Sequence, residues 1–188
     1  MLSHLFSTIY RHPKYNGYGK ESAYRRFSIL KDLKFESILD VGSGPCFLQS
    51  WLIENKIETH YEAVDVREDC FPFCNCPTHT KIPQNVKFDA VCLFGTVTYN
   101  IDNDEPKNKE LLKKLLYQSK QVAKSFLLFT VFKEPLREKH KNINPKNFFV
   151  YFSKNEIEGT LKELSISNFD IIENDDLDEQ EYFVLCKI

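Results

Sequence analysis

Residues 37–46, Ser-Ile-Leu-Asp-Val-Gly-Ser-Gly-Pro-Cys, decide how the rest of the chain is read. Ile38 and Leu39 lead into Asp40 and Val41. The chain then turns at Gly42-Ser43-Gly44 before Pro45 opens an apolar, glycine-free segment. That order predicts a buried strand, a tight turn and a helix start. Residues without a Cβ take positive φ readily and let backbone come close to a ligand. Pro45 suits the first helical position, where its missing N–H is not needed. The unpaired N–H groups of a helix opening there would point into the crevice above the strand end. The stretch reads as a loop that cradles a nucleotide.

Working outward, Tyr24, Phe27, Leu30 and Leu33 recur at helical spacing and predict a helix over Glu21–Leu33, ahead of the first strand at Ser37–Val41. The helix after the turn is expected over Pro45–Asn55, burying Phe47, Leu48, Trp51 and Leu52. A second strand, Tyr61–Val66, contains Asp65 near its end. Pro72, Pro77 and Pro83 then exclude a long helix and leave room for a short edge strand near Thr78–Ile82. Lys87–Gly95 is a further strand, Lys107–Lys124 a helix, and Ser125–Phe132 a near-continuous apolar strand of the kind buried on both faces. Lys133–Asn147 is charged and irregular, with the length of a substrate loop. Ser153 with Glu156 forms a capping-box pattern for a helix reaching Leu164. Residues 169–174 and 181–188 are strands joined by an acidic turn.

The expected fold is therefore α/β: an open, mostly parallel Rossmann-like sheet, helices on both faces, and an antiparallel C-terminal hairpin. Residues 1–188 are read as one domain, with 1–34 an N-terminal capping segment and helix and 35–188 the α/β core. A length of 188 residues suits one well-buried domain, and 42% hydrophobic with 28% charged residues is globular. No apolar run approaches the ~20 residues of a membrane helix, and the first residues lack the features of a signal peptide. A cytoplasmic protein with reduced thiols is expected. Net charge is −2, but its distribution is uneven. Residues 106–146 hold 11 Lys/Arg and three Glu, whereas residues 153–188 hold three Lys and 10 Asp/Glu. The basic stretch reads as a solvated face, or as a surface for an anionic substrate or RNA.

The run from Ile38 to Cys46 resembles the first motif of class I S-adenosylmethionine-dependent methyltransferases, an acidic residue followed by Gly-x-Gly-x-Gly. Asp40, Gly42 and Gly44 match, while Cys46 stands at the third glycine. Asp65 matches the family's next acid, which the resemblance assigns to the ribose hydroxyls, and residues 88–95 resemble the fourth-strand motif. A dinucleotide-binding loop is the competing reading. Its last glycine is replaced here by Phe47, and Asp40 before the turn would repel a pyrophosphate. An acid there suits a cofactor carrying an ammonium and a sulfonium. No Gly-Lys-Ser/Thr follows the turn, so a P-loop is excluded. No Asp or Glu closes a third strand, the position that holds the adenine amino group in the family.

The resemblance implies S-adenosyl-L-methionine as cofactor, bound by Asp40, Gly42, Ser43, Gly44, Asp65, Val66 and Gly95. Tyr18 would close over it from the N-terminal segment, and Arg26 would pair with its carboxylate. The acceptor is expected beside the end of the fourth strand, where Tyr99 and Asn100 are the candidate catalytic residues. A small or medium-sized acceptor is the leading expectation. A non-catalytic cofactor-binding protein of the same fold and an RNA-directed enzyme using residues 107–146 are the alternatives. Cys70, Cys74, Cys76 and His79 offer metal-type ligands, but all four fall within ten residues. Structural zinc sites usually join separated segments, so no metal is expected.

Overall fold

The computed structural model describes residues 23–96, 104–138, 150–173 and 181–188. Tyr18, Tyr99 and Asn100 lie outside these residues. A helix over residues 23–27 (α1) tightens into a 3-10 turn at Ser28–Asp32 and buries Phe27 and Leu30. It precedes strand β1, Ser37–Val41. Then come α2 (Phe47–Glu54), β2 (His60–Val64), β3 (Thr78–His79) and β4 (Phe88–Leu93). The second half comprises α3 (Glu105–Val122), β5 (Ala123–Lys133), β6 (Tyr151–Phe152), α4 (Lys154–Glu163), β7 (Phe169–Ile172) and β8 (Glu181–Lys187).

The strands form one sheet in the order β3-β2-β1-β4-β5-β8-β7, with β6 paired to β5. All pairings are parallel except β5–β8 and β7–β8. β4 accompanies β5 as far as Phe129, and β6 pairs with it again at Phe132 and Lys133. Because β1 lies between β2 and β4, the loops leaving all three strands converge at one end of the sheet. This is the switch point at which open α/β sheets bind ligands.

Alternation of side chains divides the core in two. On one face Leu39, Val41, Val91 and Leu93 pack with Leu112, Leu116 and Val122 of α3 and with Ile157 and Leu161 of α4. On the other, Ile38, Ala63, Ala90 and Cys92 pack with Leu48, Trp51 and Leu52 of α2 and with Phe27 and Leu30. The expected architecture is present, with helices on both faces and an antiparallel end.

Local chemistry sets the helix starts. The Asp104 side chain accepts the Lys107 N–H at 3.0 Å, and Pro106 sits in the first turn of α3, where a missing N–H is harmless. The Ser153–Glu156 capping box opens α4 as expected. The helix after the glycine turn begins at Phe47, two residues beyond Pro45, because Cys46 adopts a left-handed conformation, φ +56°.

Cysteine chemistry requires a correction. Cys46 and Cys74 are joined by a disulfide across a sequence separation of 28, so the expectation of reduced thiols throughout does not hold. Adjacent parallel strands β1 and β2 bring the loops that follow them side by side, a proximity invisible in linear spacing. Cys76, Cys92 and Cys186 are free thiols.

Midway along β2, the Glu62 carboxylate is held by His60 Nε2 at 2.7 Å and His79 Nε2 at 2.6 Å. Burial pushes this carboxyl up, but the bonds from His60 and His79 outweigh it and hold the group below its ordinary range. A depressed folded pKa gives stability that is present above the unfolded pKa of about 4.3 and is lost as pH falls through the folded one. Glu62→Gln should therefore lower the melting temperature at pH 7 by a few degrees, for about 1 kcal/mol. The difference from wild type should shrink towards zero in melts near pH 3.

Candidate functional site

A cavity of about 640 Å³ opens at the ends of β1, β2 and β4, between the sheet and α3. Its floor is Val41, Gly42, Gly44 and Val64, its β2 wall is Asp65, Val66 and Arg67, and Gly95 and Thr96 close the β4 side. The remaining lining is Thr80, Lys81, Ile82 and Gln84 after β3, and Leu111, Lys114, Leu115 and Gln118 of α3.

The glycine turn is fixed by its neighbours. Gly42 and Ser43 N–H both donate to the Val64 carbonyl, at 2.7 and 3.1 Å, and Gly44 N–H donates to Asp65 Oδ2 at 2.9 Å. These three N–H groups of the turn tie it to β2 and the loop that follows. Gly42 has φ +79°, and a Cβ there would lie 2.6 Å from Thr96 Cγ2. Thr96 cannot withdraw without losing its own bond, Oγ1 to the Val41 carbonyl at 2.6 Å. The glycine is demanded by both backbone and space.

Cys46, at the motif's third glycine position, adopts the positive φ that glycine would take without strain. Such a conformation costs a residue with a Cβ about 1–2 kcal/mol. Burial to 1% exposure and the bond to Cys74 hold it there. The cysteine side chain packs with the α2-side core, not into the cavity.

Asp65 is a buried carboxylate at the cavity edge. Oδ1 accepts the Arg67 N–H at 2.9 Å, and Arg67 Nε lies 3.6 Å away. Each carboxylate oxygen has two acceptor sites, so these bonds leave capacity for hydroxyl donors. Val66, beside it, is 85% exposed, an apolar surface facing open cavity.

Asp40 lies beneath the turn on the α2 side. Tyr61 donates its hydroxyl to Oδ2 at 2.8 Å. Burial raises the carboxyl to about 7, against the lowering effect of that bond, and the charge of Asp65 adds to the rise. Ser43 is buried with its Oγ unpartnered among the described residues, and it does not line the cavity. Arg26 reaches the β4 end, where a Cβ on Gly95 would meet its Nη1 at 3.6 Å. Its Nε and Nη2 donate to the fully buried Glu181 at 2.6 and 3.0 Å, so its principal counter-ion is internal.

The structure therefore gathers Gly42, Gly44, Asp65, Val66 and Gly95 around one cavity, and places Asp40, Ser43 and Arg26 behind it. Arg67, Thr96 and the Lys81 and Lys114 rim were not singled out from sequence. Thr96 follows the recognised strand-four segment, and the half-buried Leu111 and Leu115 widened the apolar stripe of α3 beyond its core contacts. Lys81 follows a proline-rich stretch with no periodicity to read. Of the metal-type residues, His79 turns to Glu62 and Cys74 to Cys46.

The basic and acidic stretches of the sequence meet in the fold. Lys109 pairs with Glu156 at 2.6 Å, Lys113 with Glu163, and both Lys133 and Lys154 with Glu173. Arg137 bridges Glu105 and Glu134. No helix among the described residues is long and apolar enough to cross a membrane.

The sequence matches no protein-family model and no curated protein. Solved structures match across the fold. A SAM-dependent methyltransferase from Archaeoglobus fulgidus superposes with a TM-score of 0.63 at 15% identity, covering 99% of each chain. A putative O-methyltransferase from Nostoc punctiforme gives 0.66 at 11% identity, over 90% of this chain and 56% of that one. Magnesium protoporphyrin IX methyltransferase from Synechocystis, solved with bound SAH, gives 0.62 at 12% identity, over 90% and 81%. The chain thus spans little more than half of the Nostoc protein and nearly all of the Archaeoglobus one. It has the Rossmann-like fold of class I S-adenosylmethionine-dependent methyltransferases.

Proposed function

We propose that the chain is an S-adenosylmethionine-dependent methyltransferase acting on a small or medium-sized acceptor. The observation that carries this reading is the junction of Asp65 with the Gly42–Gly44 turn at the mouth of an apolar-floored cavity. A nucleoside needs such a carboxylate for its hydroxyls, and the glycine turn lets it lie close to backbone. The residues present fit the cofactor at the ribose, through Asp65, and at the purine, through Val66 and Ile82. At the adenine amino group Gln84 and Gln118 offer amide oxygens in place of the missing acid. When bound, the cofactor supplies a sulfonium methyl group for in-line displacement.

The protein's part is alignment. Gly95 and Thr96, held by Thr130 Oγ1 and the Val41 carbonyl, fix the end of β4 where an acceptor would approach. Holding nucleophile and methyl in register supplies much of the acceleration in such reactions. Tyr99 and Asn100, four and five positions after Gly95, remain the residues proposed to orient the acceptor. The paired lysines of α3 weigh against an RNA surface there, because a charge already bridged to a carboxylate releases fewer counterions on binding a phosphate.

Calorimetry with S-adenosylmethionine tests the reading. Binding at micromolar concentration is expected, with the demethylated cofactor binding in competition. Absence of heat up to high micromolar concentration would overturn it. Binding without methyl transfer to any of a panel of small oxygen, nitrogen and sulfur nucleophiles would favour the non-catalytic alternative.

A further inference from the structure

Cys46, Cys74 and Cys76 place their sulfur atoms within 4.8 Å of one another, at the junction of the glycine turn and the β2–β3 loop. We propose that these residues form a three-thiolate site for a soft divalent cation of the zinc class, available when the Cys46–Cys74 bond is reduced and closed when it is formed. The inference is independent of methyl transfer.

Three observations support it. First, the ligands come from two segments far apart in sequence, Cys46 on one and the Cys-x-Cys pair on the other. That is the arrangement structural zinc sites use, and the 70–79 cluster by itself lacked it. Second, the three sulfurs already cluster on the scale a metal site requires, all within 4.8 Å. With metal–sulfur bonds of about 2.3 Å, tetrahedral geometry sets the sulfurs about 3.8 Å apart. Once the disulfide opens, rotation about χ1 is what lets the Cys46 and Cys74 sulfurs separate to that spacing.

Third, both segments are fixed by contacts other than the disulfide. Gln49 of α2 clamps Asn75, between the two loop cysteines, donating Nε2 to its carbonyl at 2.7 Å and accepting its N–H at 2.9 Å. Cys46 N–H donates to the Ser43 carbonyl at 3.0 Å, and Ala63 N–H to the Pro77 carbonyl at 3.0 Å. Reduction therefore leaves three thiols facing one another.

The chemistry balances. A dithiol or phosphine reductant delivers two electrons to the disulfide, and with two protons it becomes two thiols. A divalent cation then displaces one proton from each of the three thiols. The fourth tetrahedral position remains for water or an exogenous ligand, reached from the half-exposed Cys76 side. In a reducing compartment thiols are kept in the state the metal requires.

Cadmium ion alone is the probe, added to the full chain with and without prior phosphine reduction under argon. Thiolate-to-cadmium absorption and native mass spectrometry are the readouts. One cadmium per chain is expected for the reduced protein and none for the oxidised one. Cys76→Ser should weaken uptake at least about tenfold, by analogy with losses from disturbing metal sites. Cys186→Ser, remote from the cluster, should bind as wild type does. Lack of uptake by the reduced chain, unfolding of that chain by circular dichroism, or unchanged affinity in Cys76→Ser would each overturn the proposal. Because Cys76 is outside the disulfide, its variant retains the Cys46–Cys74 bond and its folding can be checked in the oxidised state.

Discussion

Replacing Asp65 by alanine is expected to weaken S-adenosylmethionine binding by about ten- to a hundredfold, measured by calorimetry. Two effects act in the same direction. A carboxylate accepting neutral hydroxyls contributes about 1.5–3 kcal/mol, and a tenfold change in affinity is about 1.4 kcal/mol. The same carboxylate also accepts the Gly44 N–H at 2.9 Å and the Arg67 N–H at 2.9 Å. Truncation leaves Gly44's buried donor unpaired and loosens the turn that forms the cavity floor. Asp65→Asn separates the effects, since its amide oxygen can still hold one of the two N–H groups while the charge is gone. Its affinity should fall between wild type and Asp65→Ala, with a melting temperature closer to wild type. Unchanged affinity in both variants would show that the cofactor does not use this edge of the cavity.

The sequence was most informative where local chemistry and tertiary structure agree. The buried run Ile38–Val41, the apolar Ser125–Phe132 stretch and the Ser153–Glu156 box each formed the element their pattern predicts. Gly42 and Asp65 were legible as residues that meet at one cavity because a tight turn and an acid after the second strand carry recognisable chemistry. Cys46 was legible only as an anomaly. That it takes a glycine-like φ and is held by a partner 28 residues on depends on β1 and β2 being neighbours, which no spacing encodes.

Charge showed the same limit. The basic excess before residue 146 and the acidic excess after residue 153 looked like two separate surfaces, yet Lys109–Glu156 and Lys113–Glu163 join them because α3 and α4 share a face of the sheet. Arg26 has the right position in the chain to approach the site. Its bidentate bond to Glu181 arises only because β8 runs antiparallel and brings its first residue to the binding end. Long-range pairing, not local propensity, decided where these charges went.

Asp40→Asn is expected to stabilise the protein above neutral pH. The carboxyl's folded pKa is about 7, against an ordinary 3.8, chiefly because burial penalises its charged form. A folded pKa raised above the unfolded one favours the folded state fully below about pH 4, and this advantage is lost as pH rises through 7. About three pKa units at 1.36 kcal/mol each set an upper limit of about 4 kcal/mol for the loss. The groups acting on Asp40 include the Tyr61 hydroxyl, which donates to it at 2.8 Å, and Asp65, whose charge opposes its ionisation. The Cys76 and Cys92 thiols, both shifted upward, add no charge of their own at neutral pH. Asparagine keeps an acceptor for Tyr61 and removes the charge. Thermal melts from pH 5 to 8 should therefore show wild type losing stability while Asp40→Asn does not, the gap widening to several degrees at pH 8. Binding should run the other way. If Asp40 supplies negative potential to a cofactor carrying an ammonium and a sulfonium, ionisation strengthens binding, and wild-type affinity should rise with pH through 7. Asp40→Asn should be weaker at pH 8 and lack that rise. A wild-type affinity flat across this range would show that Asp40's charge does not act on the cofactor.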